Sequence, residues 1–219
     1  SSLTDLTCHT NQLISLDVSN NTALDYLYCS SNQLSSLDVS NNIALTFLRC
    51  DDNQLTSLDV SNNTALNILG FHSNQLTSID VGNNTALTNL DSNFNQLTSL
   101  DVSNNSALGI LGCAQNQLTD LDVSNNIALT FLLCDGNQLT SLDVRNGNNT
   151  NFSLFSATNN PNLTCIFVDD ASYSTTNWTD IDPASTFVNN EAECELLYTL
   201  IPDPNFEQAL IDLGIDTNP

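Results

Sequence analysis

The 219-residue sequence has no lysine and no methionine, and Arg49 and Arg145 are its only basic side chains besides two histidines. Against them stand 25 acidic residues, mostly Asp, for a formal net charge of -23. Phosphate backbones are bound by clustered Lys and Arg, so this balance argues against nucleic acid and equally against anionic membrane surfaces. It favours attraction of cations and resists non-specific association. No apolar run reaches the roughly 18 residues of a membrane-spanning helix. No secretory signal is visible at Ser1, so the chain reads as a mature or excised fragment. A glycine-flanked serine elbow, a phosphate loop and a helical metal motif are all missing, which points away from an enzyme. Asn, Ser and Thr supply most of the polar surface, and with no lysine this leans towards a secreted, salt-exposed setting.

What the sequence has in abundance is repetition. Asn-Gln-Leu begins at Asn11, Asn32, Asn53, Asn74, Asn95, Asn116 and Asn137, every step being 21 residues without insertion. One copy reads Leu24-Asp-Tyr-Leu27-Tyr-Cys29-Ser-Ser-Asn32-Gln-Leu34-Ser-Ser-Leu37-Asp-Val39-Ser-Asn-Asn42. Leu27 and Cys29 alternate with Tyr26, Tyr28 and Ser30, the period of a half-buried strand. A copy this short cannot bury its apolar face alone and must stack on its neighbours as one coil. Asn32 and its equivalents are expected to point inward and bond backbone groups left unpaired where the coil turns. Leu37-x-Val39-x-x-Asn42 echoes Leu27-x-Cys29-x-x-Asn32. That echo predicts a second extended segment and a second Asn turn on the convex side, with little room for a helix.

The spacing Leu-x-x-Leu-x-Leu-x-x-Asn-x-Leu resembles the leucine-rich repeat, in which it marks a strand and the turn after it. Over about residues 3–149 the chain is similar to the 21-residue class of bacterial, Bacteroidetes-type cell-surface proteins, and more loosely to internalins and BspA-like proteins. The resemblance implies a mainly β, right-handed solenoid with a parallel concave sheet, short convex extended segments and few helices.

Three parts are expected: seven repeats over residues 1–149, a degenerate repeat and C-terminal cap over 150–200, and a short capping-type helix within 201–219. After Val144 the pattern breaks. Phe152-x-x-Phe155-x-Ala157-x-x-Asn160 is a degenerate copy, and Cys165-Ile-Phe-Val168 reads as a last strand. Residues 169–198 read as irregular and hold the single tryptophan, Trp178. A solenoid end exposes core and needs a cap. The stretch Asn-Pro-Asn-Leu-Thr-Cys165 resembles one that closes such arrays in the Bacteroidetes group. Residues 201–214, ended by Gly214, suit an amphipathic helix resembling one that opens such arrays. Its place here leads to the expectation of a further array downstream in a longer protein. It also suggests head-to-tail self-association, with this helix covering the first coil of another molecule.

Cys8, Cys29, Cys50, Cys113 and Cys134 share one inward position, with Phe71 and Ser92 filling the column. A column of small buried hydrophobes explains them; a metal or redox column is the alternative, but no Cys-x-x-Cys pair exists and His9 and His72 lie outward. Cys165 and Cys194 stand outside the column, and a disulfide between them is expected in an oxidising compartment.

Three outward columns bear on function. One runs Asp5, Tyr26, Phe47, Ile68, Asn89, Ile110, Phe131. Its neighbour runs Thr7, Tyr28, Arg49, Gly70, Asp91, Gly112, Leu133. The third runs His9, Ser30, Asp51, His72, Asn93, Ala114, Asp135. They vary while the rest of each copy barely changes. From them Tyr26, Tyr28, Phe47, Arg49, Asp51, Ile68, His72 and Phe131 are taken as candidate ligand-binding residues, since exposed apolar surface rich in Tyr and Arg often marks a partner site. Cross-strand packing is the competing explanation. Asp51 and Asp52 as paired carboxylates find no pocket on a flat sheet. A second ladder, Asp17, Asp38, Asp59, Asp80, Asp101, Asp122 and Asp143, places like charges in register. Calcium is one way to hold such a column; bonds from nearby backbone N–H or from hydroxyls such as Thr56 and Ser57 are another. No other cofactor or metal is indicated.

These readings converge on a secreted or cell-surface module that recognises a protein or glycan through its concave face. A structural spacer or adhesin stalk is the alternative. Ice binding through Thr56, Thr77, Thr98, Thr119 and Thr140 is a more distant third, opposed by the adjacent Asp column.

Overall fold

A computed structural model describes residues 2–199 and 211–213. Its strands are short because each coil turns at an Asn soon after its Leu-x-Cys segment. In chain order they are β1 (Asp5–Thr7), β2 (Tyr26–Tyr28), β3 (Phe47–Arg49), β4 (Ile68–Gly70), β5 (Asn89–Asp91), β6 (Ile110–Gly112), β7 (Asp120–Asp122), β8 (Phe131–Leu133), β9 (Ser141–Asp143), β10 (Leu154–Ser156), β11 (Cys165–Phe167) and β12 (Thr186–Val188). Two helices, α1 (Ala171–Asn177) and α2 (Glu191–Thr199), belong to the cap.

The concave sheet has eight parallel strands in the order β1-β2-β3-β4-β5-β6-β8-β10, with every rung in register, as in Tyr26↔Phe47 and Leu27↔Leu48. Register is enforced because the central residue of each strand faces the core. Leu27, Leu48, Leu69, Leu90, Leu111 and Leu132 are all buried, and a one-residue slip would expose the whole column. The convex side carries a second parallel sheet, β12-β11-β9-β7. The expected second extended segment thus pairs into strands from the coil of β7 onward, and the equivalent segments of earlier coils are not assigned as strands. The convex ladder is looser there: Thr98 N–H reaches Thr77 C=O at 3.4 Å, whereas Thr140 N–H reaches Thr119 C=O at 2.8 Å. In a curved stack the outer face is stretched relative to the inner one, so the inner ladder closes first.

Two asparagine columns close the coils. Asn53 is typical of the inner one. Its Nδ2 donates to the carbonyls of Cys29, Cys50 and Asp51 at 3.2, 3.0 and 3.1 Å, and its Oδ1 accepts Leu34 N–H at 3.0 Å. This is the inward role expected of the repeat Asn. The outer column is less complete. Asn63 Nδ2 donates to the carbonyls of Val39 and Asn42 at 3.0 and 2.9 Å, but Oδ1 of Asn42, Asn63, Asn84, Asn105 and Asn126 is buried without a hydrogen-bond partner. Just before each inner Asn the chain takes a left-handed conformation, with positive φ at Thr10, Ser31, Asp52, Ser73, Phe94, Gln115, Gly136 and Asn159. Glycine suits that region best, yet Gly136 is its single use in this column.

The degenerate copy joins the concave sheet as β10, and Asn160 continues the inner Asn column. Residues 169–198 are not irregular. Asp170 caps α1 by accepting Ser172 and Tyr173 N–H at 2.9 and 3.1 Å. The chain then supplies a further rung: Ala157 N–H donates to Asp180 C=O, Ala157 bridges Ile181, and Asp182 accepts the N–H groups of Asn159 and Asn160. Local pattern gives no hint of this because the segment borrows its structure from the coil beneath it. Trp178 stacks on Phe155 with centroids 4.4 Å apart and meets Phe187 edge-on at 5.7 Å, sealing the core. Cys165 and Cys194 form the expected disulfide, tying α2 to β11. Arg145 clamps the same helix, binding Asp143 and, at 2.9 Å, Glu191, while lying over the Phe167 ring. The tail helix expected over 201–214 and the head-to-tail contact drawn from it lie outside the described residues, save for 211–213, which form a helical turn.

Candidate functional site

The first two outward columns project from the concave sheet as the alternation requires. Tyr26, Tyr28, Phe47, Arg49, Ile68 and Phe131 are all half-buried, neither packed into the core nor fully free. At the β1–β3 end they gather into an aromatic patch. Tyr26 stacks on Phe47 with centroids 4.1 Å apart, His9 stacks on Tyr28 at 4.3 Å, and Tyr28 meets Phe47 edge-on at 6.4 Å. Such pairs stabilise the sheet by about 0.5–1.5 kcal/mol beyond burial, and they also hold broad amphipathic faces rigid at little entropic cost.

Beside the patch lies a depression of about 280 Å3 lined by Arg49, Ile68, Asn89, Asp91, Asn93, Ile110, Gly112, Phe131 and Leu133. Arg49, Ile68 and Phe131 therefore meet across it, while Tyr26, Tyr28 and Phe47 sit to one side. Sequence reasoning weights the aromatic residues and passes over Asp91, Asn93 and Ile110. The available signal was in the second column, where glycines flank Asp91 on both neighbouring strands.

The third column differs from expectation. It follows the strands, and its side chains bridge coils more than they face solvent. Asp51 is only 6% exposed. It accepts Ser30 Oγ–H at 2.9 Å and His72 N–H at 3.1 Å, while Asp51 N–H donates to Ser30 Oγ at 3.0 Å. Asn93 Oδ1 does the same for Ala114 N–H at 2.7 Å, and Asp135 accepts Ser156 Oγ–H and Thr158 Oγ1–H. Burial pushes the Asp51 carboxyl above the ordinary carboxylate range, opposed by its bond from Ser30 and the nearby Arg49. Arg49 Nη1 lies 3.9 Å from Asp51 Oδ2, and its stem passes over Gly70, where a Cβ would come within 2.8 Å of Asp51 Oδ1. His72 stands at the rim, 3.6 Å from Asp52 and edge-on to Phe94.

On the convex side each Asp of the ladder accepts the N–H two residues on: Asp38 from Ser40 at 2.9 Å, Asp80 from Gly82 at 2.8 Å and Asp143 from Arg145 at 3.0 Å. The donors are these residues, not Thr56 or Ser57. Their bonds hold Asp17, Asp38, Asp59 and Asp101 below the ordinary range. In the core, Cys50 Sγ–H donates to Gly70 C=O and Cys134 Sγ–H to Ser156 C=O. Burial pushes the Cys29 thiol up to about 12, so these are neutral packing groups.

No protein-family model matches the sequence, and no curated protein was found similar to it. Solved structures do match. The functional domain of InlJ from Listeria monocytogenes, described as including a cysteine ladder, is 42% identical with a TM-score of 0.69, over 77% of this chain and 40% of that one. The chain is a leucine-rich-repeat solenoid of internalin-like fold. The inward column of Cys8, Cys29, Cys50, Cys113 and Cys134 is its own cysteine ladder. A leucine-rich-repeat protein of Leptospira interrogans is 22% identical with a TM-score of 0.61, over 92% of this chain and 47% of that one. An internalin, InlF of Listeria monocytogenes, is 23% identical with a TM-score of 0.63, over 85% and 61%. The solenoid thus spans about half the length, or less, of the first two. Among the described residues no helix is long and apolar enough to cross a membrane.

Proposed function

We propose that this solenoid is an extracellular recognition module that binds a protein partner through its concave face. The observation that carries the reading is the stacked patch of Tyr26, Tyr28 and Phe47 beside the depression, in outward columns that vary while the Leu and Asn columns beneath them stay constant. Stacked Tyr side chains beside a dip, with an Arg at its edge, are residue types enriched among the anchors of protein interfaces. Internalin-like neighbours and the ectodomain of a plant receptor kinase in complex with its ligand, which share the fold, fit a protein partner. The disulfide Cys165–Cys194, with five thiols in the ladder left free, fits an oxidising, secreted or surface location. The further likeness to Bacteroidetes-type and BspA-like surface proteins belongs to the same reading. Binding, not catalysis, is its activity.

The test is capture from extracts of surfaces the protein encounters, run beside a glycan array, with Tyr26→Ala, Tyr28→Ala and Phe47→Ala variants of the full chain. The reading expects capture of a protein that the triple variant loses by at least roughly tenfold in affinity, since each anchor contributes on the order of 1–2 kcal/mol. Capture that survives all three substitutions would move the binding surface off this patch, and no capture by the unsubstituted chain would leave the solenoid as a spacer or stalk. A glycan hit lost on the same substitutions would change the partner class but keep the face.

A further inference from the structure

Asp91 has surroundings shared by no other carboxylate of the concave face. It stands in its column between Gly70 and Gly112, so no side chain flanks it on either neighbouring strand. It lines the depression of about 280 Å3, whose walls include Ile68, Ile110, Phe131 and Leu133. It is also pre-oriented. Asn93 Nδ2 donates to Asp91 Oδ1 at 2.7 Å, and Asn93 Oδ1 is itself held by Ala114 N–H at 2.7 Å. A Cβ on residue 112 would fall 2.5 Å from Asn93 Nδ2, so Gly112 is what allows this amide to lie against the carboxylate. Asp91 Oδ2 takes no hydrogen bond among the described residues, and Arg49 pairs with Asp51 instead.

From this geometry, and resting on the reading of the concave face as a protein-binding surface, we propose that Asp91 is the floor of a subsite for a lysine or arginine side chain of the partner polypeptide. The charged head meets Asp91 Oδ2, and the aliphatic stem lies along Ile68 and Ile110. Lys and Arg bury their stems on apolar surface while their heads seek a charge, and a dip with apolar walls and one fixed carboxylate suits both halves. The net charge of -23 adds attraction for a basic segment. Arg49, at the edge of the same depression, repels the incoming head and limits affinity.

The experiment titrates the full chain with N-acetyl-arginine methylamide and with its neutral isostere, N-acetyl-citrulline methylamide, followed by NMR shifts. The arginine probe is expected to bind weakly and the citrulline probe roughly tenfold more weakly still. Asp91→Asn, which keeps size and shape, is expected to lose roughly tenfold. Asp101→Asn removes the same charge from the convex face and is expected to change nothing. Equal losses in the two Asp variants would reduce the effect to general attraction and overturn the subsite. So would equal binding of citrulline, no binding of the arginine probe in the tens of millimolar range, or tighter binding of glucosamine. Loss in Arg49→Gln with Asp91→Asn silent would place the contact on Arg49 and not on Asp91, which also overturns it. If the aromatic variants lose a captured protein partner while Asp91→Asn keeps it, the concave-face reading stands and this subsite falls.

Discussion

Phe94 shows how far a single residue can be pushed by the stack around it. Its φ is 52° and its side chain is 54% exposed. A non-glycine residue in that region costs roughly 1–2 kcal/mol, and the column before the inner Asn forces the same conformation on Thr, Ser, Asp and Gln. Phe94→Gly should therefore raise stability by about 0.5–1 kcal/mol, less the edge contact with His72, read as a higher denaturant midpoint. This column was invisible in the sequence because its residue types share no glycine signature except at Gly136. The inner Asn was legible because it never varies. The two Asn columns should also differ in worth. Asn74→Ala orphans Leu55 N–H and takes one of two donors from the Cys50, Phe71 and His72 carbonyls, whereas Asn84→Ala leaves the Val60 and Asn63 carbonyls their backbone partners and removes an oxygen that already lacks one. At about 1–3 kcal/mol for each buried group left unmade, Asn74→Ala is expected to be the more damaging by roughly 1–2 kcal/mol in urea melts.

The cap is the element whose making local pattern did not reveal. Helix α1, Ala-Ser-Tyr-Ser-Thr-Thr-Asn, is composed, after Ala171, of weak helix formers. What makes it a helix is the local Asp170 cap at one end and, as a tertiary fact, its seat beside β12. The repeats were read correctly because a coil's period is written in sequence, while the cap's rung at Asp180 and Ile181 depends on a coil some 23 residues earlier. Asp51 was misplaced for the same reason: its burial comes from Ser30 and His72, each 21 residues away. The disulfide closes a 29-residue separation and should hold the cap by about 3–4 kcal/mol on a chain-entropy argument. Since Trp178 is packed between Phe155 and Phe187, its fluorescence reports this element alone. Cys194→Ser, or reduction, should move the Trp178 transition to lower denaturant ahead of the far-ultraviolet signal of the repeats. Coincident transitions would mean that the cap is not a separately melting end.

Charge acts on the molecule as a whole, and two effects oppose each other as pH falls. The ladder carboxyls Asp17, Asp38, Asp59 and Asp101 are held below their ordinary value in the folded chain. What they contribute is complete above the unfolded value near 3.8 and is lost as pH drops through the lower folded value. Asp51 runs the other way: its raised folded value favours folding at low pH, and that contribution fades as pH climbs through it. Asp51→Asn should accordingly flatten the fall in melting temperature as pH rises above the ordinary carboxylate value near 3.8. Ionic strength tests the rest. Carboxylates on adjacent coils about 4.8 Å apart repel by roughly 0.9 kcal/mol per pair in water, and a Debye length of about 10 Å in 0.1 M salt removes the longer-range terms. The melting temperature should rise steadily from low salt to about 0.5 M sodium chloride, because a chain of net charge -23 with two arginines has almost no internal neutralisation. Calcium separates screening from binding. Each ladder Asp has Oδ1 committed to the N–H two residues on, so one oxygen per coil remains for a cation that seeks six to eight. Millimolar calcium is therefore expected to raise the melting temperature no more than sodium at matched ionic strength. A larger rise, reversed by chelator, would make the convex ladder a calcium site after all.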